Sequence, residues 1–174
     1  MVANRQAKTL VMPGKVRPGQ VISLVEITGG MGPKLDIPRV ADEMGADIDV
    51  LFPVIDAAQM LGLVRLERGD LSLTEDGHAF QKTLKQKVKT LKDRLAVIEP
   101  FRTAMELAAK KHRISASDVA EALQQRGVKW HYQPEVNESV IRELLIHWTI
   151  YAGLLTVGKA GEFHRAGTNH SKLE

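Results

Sequence analysis

Apolar positions recur at helical spacing in several stretches of this chain, and the clearest runs from Asp36 to Gly77. Ile37, Val40, Ala41 and Met44 fall at i, i+3, i+4 and i+7, one apolar face of a short helix. Gly45 stops it, because glycine takes the left-handed C′ conformation at little cost. Asp47 or Asp49 is placed to cap the next helix by accepting its free N–H groups. That helix carries Leu51, Val54, Ile55, Ala58 and Leu61, tolerates Pro53 in its first turn, and ends at Gly62. Leu63, Val64 and Leu66 lead through Glu67-Arg68-Gly69-Asp70 to Leu71 and Leu73, a hairpin pattern with a charged, glycine-containing tip. Thr74 then caps a further helix opening at Glu75-Asp76-Gly77. The pattern is that of a helix-turn-helix with a two-stranded wing.

Upstream, Val21, Ile22, Leu24, Val25 and Ile27 predict a first helix within Gly19–Gly32, closed by Gly29-Gly30. The segment before it holds Pro13, Gly14, Pro18 and Gly19 and no long period, so a loose arm is expected over residues 1–19. From Phe80 to about Lys111 the pattern is long and helical, interrupted once at Pro100.

The second part of the chain repeats the first. Ala116, Val119, Ala120 and Leu123 reproduce the earlier helix face, with Ser115 or Ser117 as cap. Ile141, Leu144, Leu145, Trp148 and Tyr151 build a later helix, and Gly153 ends it as Gly62 ends the earlier one. Leu154, Leu155 and Val157, the tip Gly158-Lys159-Ala160-Gly161, and Phe163 make a second short wing. Ala41 and Ala120 lie 79 apart and Gly62 and Gly153 lie 91 apart, and the difference of 12 fits the longer connection from Gly127 to Asn137. Recurrence of faces, stops and wing in order is the mark of an internal repeat. The expected fold is mainly α (α+β), with tandem winged helix-turn-helix units and short two-stranded wings. Its expected organisation is a flexible arm over 1–19, a first unit with a long basic helix over 20–94, a second unit over 95–164 and a flexible tail over 165–174.

The bulk numbers fit a globular chain able to bury a core: 174 residues, 44% apolar and 26% charged. With no cysteine, disulfides and thiol catalysis are excluded. The N-terminus lacks the apolar core of a signal peptide, and no run reaches membrane-spanning length, so a cytoplasmic protein without membrane insertion is expected. The net charge of +3 permits an anionic partner without requiring one.

Catalytic patterns are missing. Gly153 to Lys159 matches the start of a phosphate-binding loop, but Ala160 stands where a magnesium-holding hydroxyl is needed, and the stretch follows a helix instead of a strand. His78, His112, His131, His147, His164 and His170 are scattered and lack the convergent spacing of a zinc site. Glu26, Asp56, Glu106 and Glu143 sit beside apolar stripes as polar-face residues, and no nucleophile elbow or triad order occurs. No catalytic, metal or cofactor site is expected.

Charge is uneven along the chain. Lys82, Lys85, Lys87, Lys89, Lys92 and Arg94 face one acid, Asp93, which reads either as a solvated helix face or as a docking patch for phosphates or an acidic protein. A DNA-reading helix offers Arg, Lys, Asn or Gln to bases and phosphates. The helix from Val50 to Leu61 has no basic residue, carries Asp56, and has only Gln59 to read a base. The later helix sets Arg142 and His147 against Glu138 and Glu143. The wings carry Arg65 and Arg68, and Lys159. Trp130 and Tyr132 lie in the long connection beside Pro134 and either pin it to the core or anchor a protein partner.

Ala57-Ala58-Gln59-Met60-Leu61-Gly62-Leu63, Gly69-Asp70-Leu71-Ser72-Leu73-Thr74, Gly77 and Phe80 resemble the C-terminal AAA-associated domain family. Trp148, Tyr151 and Ala152 look like its second signature, although Ile150 stands where that family often has arginine. The resemblance spans about Gln20 to Phe163. It implies a module that follows the ATP-binding subunit of nitrate-, sulfonate- or taurine-type ABC importers, regulating the transporter or mediating interactions. This chain carries no ATPase cassette, so it is either a freestanding relative or a segment of a longer protein. The expected function is therefore a non-catalytic regulatory or protein-interaction module whose partner is an ABC transporter ATPase or permease subunit. A winged-helix DNA-binding regulator using Arg65, Arg68 and the Lys82–Arg94 face is the alternative, and a homodimer through the wings or the long helix is a third arrangement.

Overall fold

A computed structural model describes residues 8–128 and 134–167. Its first strand, β1 (Leu10–Val11), lies parallel to residues Ile98–Glu99, and the Met12 N–H extends the pairing to the Glu99 carbonyl at 2.9 Å. Met12 and Val16 are buried, so the loose arm expected before Gly19 is instead a packed strap over residues 10–17. Proline and glycine bend this strap without freeing it, because its strand partner is supplied from far along the chain.

Pro18 opens α1 (Pro18–Gly30), where its missing N–H costs nothing, and the helix buries Val21, Leu24 and Val25. A short strand β2 (Leu35–Asp36) follows. The Asp36 carboxylate accepts the Arg39 N–H at 2.8 Å and so caps α2 (Ile37–Met44), which Gly45 ends with φ 59°. α3 (Ile48–Met60) turns its Leu51, Val54, Ile55 and Ala58 inward. Its cap position is Asp47, which holds no side-chain capping bond. After the Gly62 turn come β3 (Val64–Glu67) and β4 (Asp70–Leu73), and β4 lies between β2 and β3 in an antiparallel sheet with Leu71 facing Leu35 and Leu66.

Thr74 caps α4 (Glu75–Phe80): its hydroxyl accepts the Gly77 N–H at 3.0 Å and donates to the Gly62 carbonyl at 2.6 Å. Gly77 admits no side chain, because a Cβ there would fall 2.0 Å from the Leu63 carbonyl oxygen. The helical run expected from Phe80 to Pro100 is broken at residues 81–83, where Thr83 adopts extended backbone and caps α5 (Leu84–Leu95) by accepting the Gln86 N–H. A capping hydroxyl followed by a favourable helix start competes locally with continuation of the preceding helix. β5 (Ile98–Glu99) then receives β1, and α6 (Phe101–Lys110) follows.

The second half repeats the order of the first. Where β2 pairs with β4, Ile114 bridges to Phe163. Ser115 and Asp118 form a reciprocal capping box on α7 (Ala116–Gln125). α8 (Pro134–Leu144) continues through a π-helical turn at Leu145–Thr149, and Gly153 ends the run with φ 65°. β6 (Leu155–Val157) and β7 (Phe163–Arg165) close an antiparallel hairpin. Arg165, expected in the tail, is a strand residue paired with Leu155.

One core runs through both halves. Trp148 lies at its centre, with its ring 6.2 Å from that of Phe101 and its indole N–H donating to the Val16 carbonyl at 2.9 Å. No helix among the described residues is long and apolar enough to cross a membrane. Trp148→Phe keeps an aromatic ring but orphans the Val16 carbonyl, an expected loss of about 1–3 kcal/mol. Urea denaturation of wild type and variant measures it, and an unchanged midpoint would show that the bond contributes nothing.

Candidate functional site

α3 gathers exposed apolar and acidic side chains on its outer face. With Leu51, Val54, Ile55 and Ala58 inward, the 3.6-residue period turns Ile48, Asp49, Phe52, Asp56 and Gln59 outward together. Ile48 is 41% and Phe52 43% exposed, and Val50 on the flank is 53% exposed. Asp36, Asp42, Glu43, Asp47, Asp49 and Asp56 stand against Arg39 alone, so residues 36–59 carry a net −5. All six acids are exposed, and none forms an ion pair among the described residues. Gln59, the one residue suited to reading a base, instead accepts the Leu66 N–H at 3.3 Å.

The cationic counterpart is α5. Residues 82–94 hold six cations and Asp93, a net +5. The structure divides them by face. Lys87 reaches back to Glu26 of α1 at 3.0 Å, and Arg94 pairs with Asp76 of α4. Lys85, Lys89 and Lys92 fall at i, i+4 and i+7 on the outer face, with Lys89 paired to Asp93 at 2.9 Å. Lys82 is exposed in the break before α5.

Two of these cations also mark where α5 meets each half. The Arg94 guanidinium carbon would lie 3.2 Å from a Cβ on Gly62, and the Lys92 Nζ 3.9 Å from one on Gly153. These glycines are the equivalent turns after α3 and after the π-helical end of α8. A cation at a helix C-terminus meets the negative end of the helix dipole. α5 therefore lies beside both glycine turns.

The remaining sequence candidates are dispersed. Arg65 and Arg68 are exposed on the first wing; Arg65 lies 3.6 Å from Glu67, and Arg68 occupies the tight turn with φ 54°. Trp130 and Tyr132 lie outside the described residues. On α8, His147 hydrogen-bonds Glu143 at 3.2 Å, and the two line a cleft of about 240 Å³ with Lys15, Val16 and Arg17 of the strap. Sequence reading has no signal for this cleft, because only the folded strap brings its walls together.

Two other groupings were also hidden in the sequence. His112 and His164, distant in sequence, meet edge to face at 5.7 Å. Even so, no group of three potential metal ligands occurs among the described residues. Arg126, the residue just past α7, pairs with Glu106, hydrogen-bonds the Thr103 hydroxyl at 2.8 Å and lies 3.9 Å from buried Glu99. It joins α6 to α7.

The Arg126 hydrogen bond holds the Glu106 carboxyl below its ordinary range, with Arg102 adding to the effect and desolvation opposing it. A carboxylate depressed on folding stabilises above its unfolded pKa, about 4.3, and that contribution is lost as pH falls through the folded value. Glu106 is 39% exposed, so solvent screening keeps this part below about 1 kcal/mol. Arg126→Met is expected to destabilise at neutral pH, and the gap to wild type should narrow below about pH 4 as Glu106 protonates. Thermal melts from pH 7 down to pH 3 test this, and a pH-independent gap would refute it.

No curated protein and no solved structure matches this chain. The family model described as the C-terminal AAA-associated domain matches residues 38–157, from the start of α2 to the end of β6, and so takes in α3, its acidic face, α5 and both glycine turns. The chain belongs to the C-terminal AAA-associated domain family, whose members are accessory modules associated with ABC transporter ATPase subunits.

Proposed function

We propose that this protein is a non-catalytic regulatory or protein-interaction module that works with the ATPase or permease subunit of a nitrate-, sulfonate- or taurine-type ABC importer. Each half is read as a winged helix-turn-helix: α1, β2, α2, α3 and the β3–β4 wing, then α6, the Ile114 bridge, α7, α8 and the β6–β7 wing. The carrying observation is the outer face of α3. A nucleic-acid reader needs cations there to meet phosphates, whereas α3 presents Ile48, Phe52, Asp49 and Asp56. Carboxylates repel phosphates, and exposed apolar side chains suit a protein contact. Family membership supports the same reading.

The exposed cations Arg65, Arg68, Lys82 and Lys85 support a second reading, in which wing and α5 meet a nucleic-acid backbone. Capture from native lysate at physiological salt, with protein and nucleic acid both identified, separates the two. The transporter reading expects an ABC ATPase or permease with little DNA, and no ATP hydrolysis by the purified chain. Sequence-enriched DNA whose retention falls steeply with salt would overturn it, since that slope reports counterions released from phosphates.

A further inference from the structure

The acidic face of α3 and the basic face of α5 match each other in more than sign. Asp49 and Asp56 are seven residues apart on one helix, and Lys85 and Lys92 are seven apart on the other. At the helical rise per residue both pairs span about 10.5 Å along their axes. The helices are of nearly equal length, 13 residues for α3 and 12 for α5. α3 also bears apolar surface beside its charges, in Phe52 and Ile48. The net −5 of residues 36–59 balances the net +5 of residues 82–94, and both regions lie in the same chain.

We infer that the occupant of the α3 face is a second copy of this chain, with α3 of each copy laid against α5 of the other across a two-fold axis. A two-fold arrangement makes the contact twice and closes the assembly, leaving neither patch exposed. Within the contact Phe52 and Ile48 leave water, and the lysine and aspartate pairs set the register. Charge pairs at such a surface contribute more to alignment and partner choice than to affinity. The contact does not depend on the transporter reading, since self-association is measured with the purified chain alone.

Charge reversal gives a direct test. All four charged positions are exposed, so Asp49→Lys with Asp56→Lys in one variant, and Lys85→Glu with Lys92→Glu in another, should keep the wild-type circular dichroism spectrum and a single cooperative melt. Light scattering on a sizing column at low salt should give wild type twice the chain mass of 19.2 kDa. Each variant alone should run as a monomer, because positions 49 and 56 then meet like charges at positions 85 and 92. An equimolar mixture of the two should recover the dimer, since both contacts then join opposite charges. Phe52→Ser should also yield a monomer. The inference is overturned by a monomeric wild type at low salt, or by reversed variants that still dimerise. A mixture that stays monomeric, or a mass that climbs without limit, also overturns it. So does a dimer that nuclease treatment dissolves, which would assign α5 to nucleic acid.

Discussion

The indole N–H of Trp148 and the Val16 carbonyl join the two ends of the chain inside the core, 132 residues apart in sequence. A buried polar pair of this kind is costly to break, because either partner left alone keeps its full desolvation penalty. It is also the point where the strap is held against the last long helix. The strap in turn reaches β5, in the connection between the two halves, through β1 and the Met12 N–H. Segments from the start, middle and end of the chain thus meet at one place, and the repeated halves are not left to pack through helix faces alone.

α5 completes that junction. Its inner residues Leu91 and Leu95 enter the core, Arg94 lies over the Gly62 turn, and Lys92 lies over the Gly153 turn. A side chain at either glycine would require a left-handed backbone that only glycine adopts at little cost. The two glycine turns are therefore open to the same helix, whose exposed lysines are Lys85, Lys89 and Lys92. The opposite charge has gathered on α2 and α3. The two charged regions nearly cancel, leaving a net charge of only +3.

Much of the fold was legible where a local rule decides the outcome. Apolar spacing located α2, α3 and α7, and Gly45, Gly62 and Gly153 all end helical runs with positive φ. The hairpin tip at Arg68-Gly69 and the Thr74 cap were equally local. The strap was not legible, because a two-residue strand has no period and its partner lies far along the chain. The break at Thr83 was hidden for a different reason, since apolar positions on both sides of it keep helical spacing. The π-helical turn at Leu145–Thr149 likewise leaves the apolar pattern almost undisturbed. At the candidate site, sequence located the charges but not their grouping. That Lys87 and Arg94 serve α1 and α4, while Lys85 and Lys92 share an outer face, follows only from how α5 is docked.

Strap and α5 join the two halves into a single platform on which the charged faces are held. Native-state hydrogen exchange tests this most directly, because it reports the opening free energy of each segment separately. The slowest amides of α3 and of α8 should share one ceiling, equal to the free energy of global unfolding, as one cooperative unit requires. A lower ceiling for α7, α8 and the β6–β7 hairpin than for α1 to β4 would contradict it, since the second half would then be opening by itself.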